Sequence, residues 1–114
     1  MDNCIFCKII KKEIKSDIVY EDENTLIFKD LNPVAPVHLL AVPKKHISSI
    51  SEADELTDKE ISRLIKAVSK VAADLNLDSA GYRVVTNTGE TAGQSVLHLH
   101  FHILGRRNFS WPPG

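Results

Sequence analysis

Near its C-terminus the chain reads Leu97-His98-Leu99-His100-Phe101-His102-Ile103-Leu104, three histidines at two-residue spacing, each followed by an apolar residue. Alternation of period two predicts a half-buried β-strand, whose successive side chains point to opposite faces. On that reading Leu97, Leu99, Phe101 and Ile103 face a core, and all three imidazoles line the other side. Imidazole titrates near neutrality, so such a row can supply a nucleophile, a proton carrier or metal ligands. Same-face positions on a strand lie about 6.6 Å apart, near enough to act on one small group. The loop ahead of them, Gly93-Gln94-Ser95, adds backbone N–H groups at a point where glycine permits close approach. Amides beside imidazoles suit an anion, most obviously a phosphate. His100, the central residue, is best placed to attack phosphorus, with His102 and the loop amides binding the phosphoryl oxygens. A phosphohistidine would split one displacement into two easier ones.

Of the five histidines, His38 and His46 stand elsewhere. His38, in Val37-His38-Leu39-Leu40, faces the same way as Leu40 and taken alone reads as a core histidine. His46 follows Lys44-Lys45 on a loop and taken alone reads as a surface residue. The two cysteines form Cys4-Ile5-Phe6-Cys7, a spacing for metal ligation or redox chemistry rather than a structural disulfide. No strand precedes the pair, which favours a metal, or no function, over a thioredoxin-like role.

The elements that must position these residues follow from periodicity. Cys4 to Lys12 fits a short amphipathic helix. Asp17 to Tyr20 and Thr25 to Lys29 read as strands joined by a polar turn, and Val37 to Val42 as a third strand closed by Pro43. Ser48 to Glu55 is a connector. Thr57-Asp58-Lys59-Glu60 has the form of a capping box. Behind it Ile61, Leu64, Ile65, Val68, Val71, Ala72 and Leu75 recur at helical steps, predicting about five turns with an apolar stripe in the core. Tyr82 to Thr86 is a fourth strand, Asn87 to Gln94 a polar loop and Val96 to Leu104 a fifth strand. The sum is an α+β domain with a five-stranded antiparallel sheet, one long helix and a short N-terminal one.

At 114 residues with 43% apolar content the chain suits one compact domain, residues 1–114, with a dimer as a natural way to extend its core. A net charge of −1 argues against a grip on nucleic acid. No apolar run approaches the ~20 residues of a membrane span. No signal peptide is visible in Met1-Asp2-Asn3-Cys4, so a cytoplasmic location is expected. Arg106-Arg107 reads as a solvated basic pair.

His98-Leu99-His100-Phe101-His102-Ile103-Leu104 resembles the His-φ-His-φ-His-φ-φ signature of the histidine triad (HIT) superfamily, φ being apolar. Cys4-Ile5-Phe6-Cys7-Lys8-Ile9, Lys29-Asp30-Leu31-Asn32-Pro33, Pro36-Val37-His38, Val42-Pro43-Lys44-Lys45-His46-Ile47, Gly93-Gln94-Ser95-Val96 and Trp111-Pro112-Pro113-Gly114 are similar, in the same order, to its Hint branch. The resemblance implies a nucleotide hydrolase or transferase cleaving purine nucleoside 5′-phosphoramidates and related aminoacyl adenylates through a nucleotidyl-histidine. His100 would be the nucleophile and His102 would bind phosphate. Ser95 and the Gly93 and Gln94 backbone would hold phosphate and leaving group, with Asn87 on the phosphate side. Asp30 would take the ribose hydroxyls, and Ile5, Phe6, Ile9, Phe28 and Leu31 would form the base pocket. His38 matches a fourth histidine supporting the triad. The Cys-x-x-Cys resembles that of zinc-binding relatives, which implies a structural zinc on Cys4, Cys7, His46 and His98, with no cofactor needed for catalysis. The resemblance further implies a homodimer with a continuous ten-stranded sheet, and a tail, Phe109 to Gly114, that reaches the partner's site.

Three other functions fit the residues. One is hydrolysis of dinucleoside polyphosphates by the same superfamily. Another is a metal-dependent hydrolase with catalytic zinc on His98, His100 and His102. The last is a nucleotide-binding regulatory module.

Overall fold

The computed structural model describes residues 3–114. Met1 and Asp2, where the stretch read for a signal peptide begins, lie outside the described residues. In chain order the elements are helix α1 (Ile5–Ile10), strands β1 (Ile18–Glu21), β2 (Thr25–Lys29) and β3 (Val37–Pro43), a 3₁₀ turn (Ile50–Glu55), helix α2 (Asp58–Asp74), strand β4 (Tyr82–Val85), a second 3₁₀ turn (Glu90–Ala92) and strand β5 (Phe101–Gly105). The strands form one antiparallel sheet in the order β1-β2-β3-β5-β4. This is the expected α+β architecture with few helices. No described helix is long and apolar enough to cross a membrane.

β3 is buried along its whole length because both faces of the sheet are covered. Ile27, Leu39, Ala41 and Ile103 point to one face, where Leu64, Ala67, Val68, Val71 and Ala72 of α2 close the larger core. Leu26, Phe28, Leu40 and Val42 point to the other, against Phe6 and Ile9 of α1. The pairing Leu40↔His102 and His38↔Leu104 puts His38 and His102 on this second face, one diagonal step apart.

α2 begins on the predicted capping box. The Glu60 N–H donates to Thr57 Oγ1 at 3.1 Å, and the Thr57 N–H donates to Glu60 Oε1 at 2.8 Å. Its buried stripe is rotated from the expected one. Ile61 and Ile65 are exposed, while Ala67, absent from the expected stripe, is buried. At about 100° per residue, burial centres on the line through Leu64, Val68 and Val71, and Ile65 falls about a quarter-turn away.

The larger correction concerns the fifth strand. It spans Phe101–Gly105, not Val96 to Leu104, so of the three histidines only His102 lies in the ladder. The polar groups of the preceding segment are taken by other partners. The Leu99 N–H donates to Ile47 O at 2.8 Å, the Thr86 hydroxyl donates to His100 O at 2.7 Å, and two imidazoles bond main-chain carbonyls. Released from the pleat, Leu97 is 67% exposed instead of facing the core, while Leu99 and Ile103 keep their inward positions. The three imidazoles therefore do not form one pleated row: His98 turns to Cys4, Cys7 and His46, while the His100 and His102 rings stay 5.0 Å apart.

Candidate functional site

His98 turns toward the N-terminus of α1. Cys4 caps that helix, its sulfur accepting the Cys7 N–H at 3.3 Å, so the two-residue gap brings both sulfurs to the same end. The fully buried His98 donates from Nε2 to Pro43 O at 2.9 Å, which leaves Nδ1 as a free acceptor. That atom lies 3.3 Å from Cys4 Sγ, 3.6 Å from Cys7 Sγ and 3.1 Å from His46 Nδ1, and Cys7 Sγ lies 3.4 Å from His46 Nδ1. A tetrahedral zinc with Zn–S about 2.3 Å and Zn–N about 2.0 Å sets S···N edges of about 3.5 Å and N···N edges of about 3.3 Å. These four separations are close to those edges and all four donor atoms lie within 4.8 Å of one another, so Cys4, Cys7, His46 and His98 are positioned to bind a metal. Burial, and then the Cys4 sulfur, push the Cys7 thiol up to about 11. A bound cation would invert that preference by taking the thiolate. Burial also pushes His98 down to about 4, against the pull of the Pro43 carbonyl, which keeps it a neutral ligand-type imidazole.

His100 is buried and donates from Nδ1 to His98 O at 2.8 Å. With the proton on Nδ1, the Nε2 lone pair is free. The Phe6 ring stands edge-on to His100, with centroids 5.1 Å apart, and also edge-on to His98 and Phe28. The His102 ring lies 5.0 Å from that of His100.

His102 Nδ1 is 2.9 Å from Nε2 of the buried His38, and Asp30 Oδ2 is 3.3 Å from the same His38 nitrogen. The Val34 N–H donates to His38 Nδ1 at 3.1 Å. His38 thus carries its proton on Nε2 and offers it to His102, whose own proton then sits on its outer Nε2. Burial pushes His102 down to about 4, helped by His100 and His38 and opposed by Asp30. Burial lowers His38 as well, again against Asp30.

The remaining expected positions divide. Phe6, Ile9 and Phe28 are buried in the second core, whereas Ile5 and Leu31 are exposed. Asn87 is half-buried just beyond β4, and Ser95 is exposed. Ser95 and Ile5 line a cavity of about 490 Å³ together with Cys4, His46, Val96 and Leu97. Gly93 sits at φ 87°, a left-handed conformation that costs glycine nothing and that ends the 3₁₀ turn. Gln94 contributes more than its backbone. Its side chain accepts from the Gly89 N–H at 2.8 Å and donates to Ser48 O at 2.6 Å and Val96 O at 3.0 Å, closing the loop onto the connector. Neither that staple nor the Thr86 hydroxyl on His100 O had a periodic signal in the sequence.

Residues 11–109 match the family model described as HIT domain. An uncharacterized HIT-like protein of Synechocystis sp. is 49% identical over 113 residues, covering 99% of this chain and 98% of that protein. The structure of a HIT family hydrolase from Clostridium thermocellum is similar with a TM-score of 0.91 and 48% identity, covering 96% of each chain. A histidine triad nucleotide-binding protein from Candida albicans is similar with a TM-score of 0.83 and 35% identity, covering 96% of this chain and 83% of its own.

Proposed function

The chain belongs to the HIT domain family, and from that membership we propose that it is a Hint-branch hydrolase of purine nucleoside 5′-phosphoramidates. The observation that carries the reading is the 2.8 Å bond from His100 Nδ1 to His98 O, which leaves Nε2 bare as a nucleophile. His100 Nε2 attacks phosphorus, the P–N bond to the amine breaks, and the amine departs with a proton taken from solvent, which the attacking water of the second step returns. Water then attacks the nucleotidyl-histidine, the P–Nε2 bond breaks, and the nucleoside monophosphate leaves. His102 donates from Nε2 to a phosphoryl oxygen, with Ser95 and Asn87 beside the same group, whereas the Gly93 and Gln94 N–H groups, expected there, donate to Glu90 O at 3.0 Å and Gly89 O at 3.1 Å and so shape the loop instead. His38 supports His102. Asp30 accepts from the ribose hydroxyls. The base lies against the exposed Ile5 and Leu31, backed by Phe6, Ile9 and Phe28. The names of relatives as hydrolases and as a nucleotide-binding protein support this reading.

Zinc on Cys4, Cys7, His46 and His98 would have a closed set of four protein ligands, which is the structural kind. It would fasten α1 to the loop before β5. The divergence of His98 from His102 disfavours a catalytic metal on the histidine row. The chain is read as one HIT domain that dimerises through the outer edge of β4, where Tyr82 and Val84 are exposed, into a ten-stranded sheet. Steady-state rates on adenosine phosphoramidates against dinucleoside polyphosphates test the substrate class. Faster turnover of the phosphoramidates is expected; the opposite order would transfer the chain to the neighbouring branch.

A further inference from the structure

Arg107, which reads as half of a solvated basic pair, is anchored in the structure. The loop between β2 and β3 is held at its start by Asp30, whose N–H donates to His38 O at 3.0 Å and whose Oδ1 accepts the Asn32 N–H at 2.7 Å. Further along, Val34 makes two bonds. Its N–H donates to His38 Nδ1 at 3.1 Å, and its carbonyl accepts Arg107 Nε–H at 2.9 Å. The Val34 side chain is 60% exposed, so its own packing contributes little to holding this stretch. The Arg107 guanidinium is itself fixed, 4.2 Å over the Phe109 ring, with Arg83 at 5.1 Å on the same ring. A chain of contacts therefore runs from the C-terminal segment through one residue of the loop to His38 and on to His102.

We propose that Arg107 is a positioning residue for the histidine pair. By holding the Val34 carbonyl it keeps the Val34 N–H on His38 Nδ1, and so fixes which nitrogen of His102 bears the proton. The consequence for turnover rests on the reading that His102 donates to the phosphoryl group; the positioning itself does not. The other charged or titratable groups facing the pair are Asp30 on the loop and His100 ahead of β5, with Lys29 and Arg106 across the cavity that Asp30 and His38 line. None of them touches the Val34 carbonyl, whose partner is Arg107.

The test uses nucleotide-free, ¹⁵N-labelled protein, in which the histidine ring nitrogens report tautomers directly. Wild type should show His38 with a bare Nδ1 and a protonated Nε2. Arg107→Gln should move His38 toward a mixture of tautomers. Arg83→Gln, which removes the other cation near Phe109 and whose hydrogen bond goes to Ser110 O rather than Val34, should leave His38 unchanged. Both side chains lie at the surface, and the same spectra report that the fold is kept. On an adenosine phosphoramidate, Arg107→Gln should lower kcat by roughly three- to tenfold, the scale of one lost hydrogen bond, with KM within about twofold. An Arg107→Gln spectrum that superimposes on wild type overturns the proposal. So does an equal His38 shift in Arg83→Gln, whereas an unchanged kcat beside a shifted His38 upholds the positioning and overturns the donor role given to His102. If no phosphoramidate is turned over, the functional reading fails while the spectra still decide the positioning.

Discussion

His100 and His102 are two residues apart, yet main-chain and side-chain partners give them opposite tautomers. The His98 carbonyl takes the Nδ1 proton of His100 and exposes its lone pair, whereas His38 occupies Nδ1 of His102 and leaves it a donor. Replacing His100 with Ala should lower turnover at least ~10³-fold, as loss of a nucleophile does, while AMP binding measured by calorimetry stays near wild type. Near-normal turnover in that variant would remove His100 from the nucleophile role. The buried His102 also makes a pH prediction. Its folded value is about 4 against an ordinary 6.5. Between those values the unfolded chain binds a proton that the folded chain excludes, so acidification through this window favours unfolding and stability rises with pH across it. Thermal melts from about pH 7 down to about pH 4.5 should therefore fall more steeply for wild type than for His102→Gln. Equal slopes would mean that the folded chain binds the His102 proton as readily as the unfolded chain does.

At the scale of elements, the second helix and the last strand behaved differently as sequence. The helix start at Thr57 was legible because a capping box is a local signal, satisfied within one turn. The strand was legible only from Phe101 onward. The alternation from Leu97 to Ile103 is a true pattern of period two, but backbone pairing decides whether it becomes a strand. Here Ile47, Pro43 and Thr86, all distant in sequence, take those polar groups. The same limit applies to the helix stripe, where neighbour contacts choose Ala67 over Ile65. The difference is measurable by denaturant unfolding. Leu97→Gln should change stability by no more than about 0.5 kcal/mol, whereas Leu99→Ala, in the larger core, should cost about 2–5 kcal/mol. A large loss at Leu97 would restore the longer strand.

Taken whole, the molecule uses one sheet to separate two tasks. α2 covers one face and supplies the larger core, while the other carries α1 and the histidines. The residue types of the site were legible because imidazoles and thiols are rare and closely spaced. The distribution of roles was not, since it depends on the bend that sends His98 to the cysteines and on the cross-strand step joining His38 to His102. That division predicts the effect of removing zinc. Zinc-loaded protein should contain one equivalent per chain, and chelation should lower the melting temperature. Turnover by metal-free protein at a temperature where it remains folded should persist at a similar rate. Loss of turnover from folded, metal-free protein would place the metal in the reaction. The account's central claim is the covalent step at His100, and rapid quenching during turnover of an adenosine phosphoramidate, followed by peptide mass analysis, reads it directly. The predicted result is a nucleotidyl group on the peptide that carries His100, labile to acid and absent from His100→Ala. Full turnover with no such adduct, or an adduct on His98 or His102 instead, would contradict it.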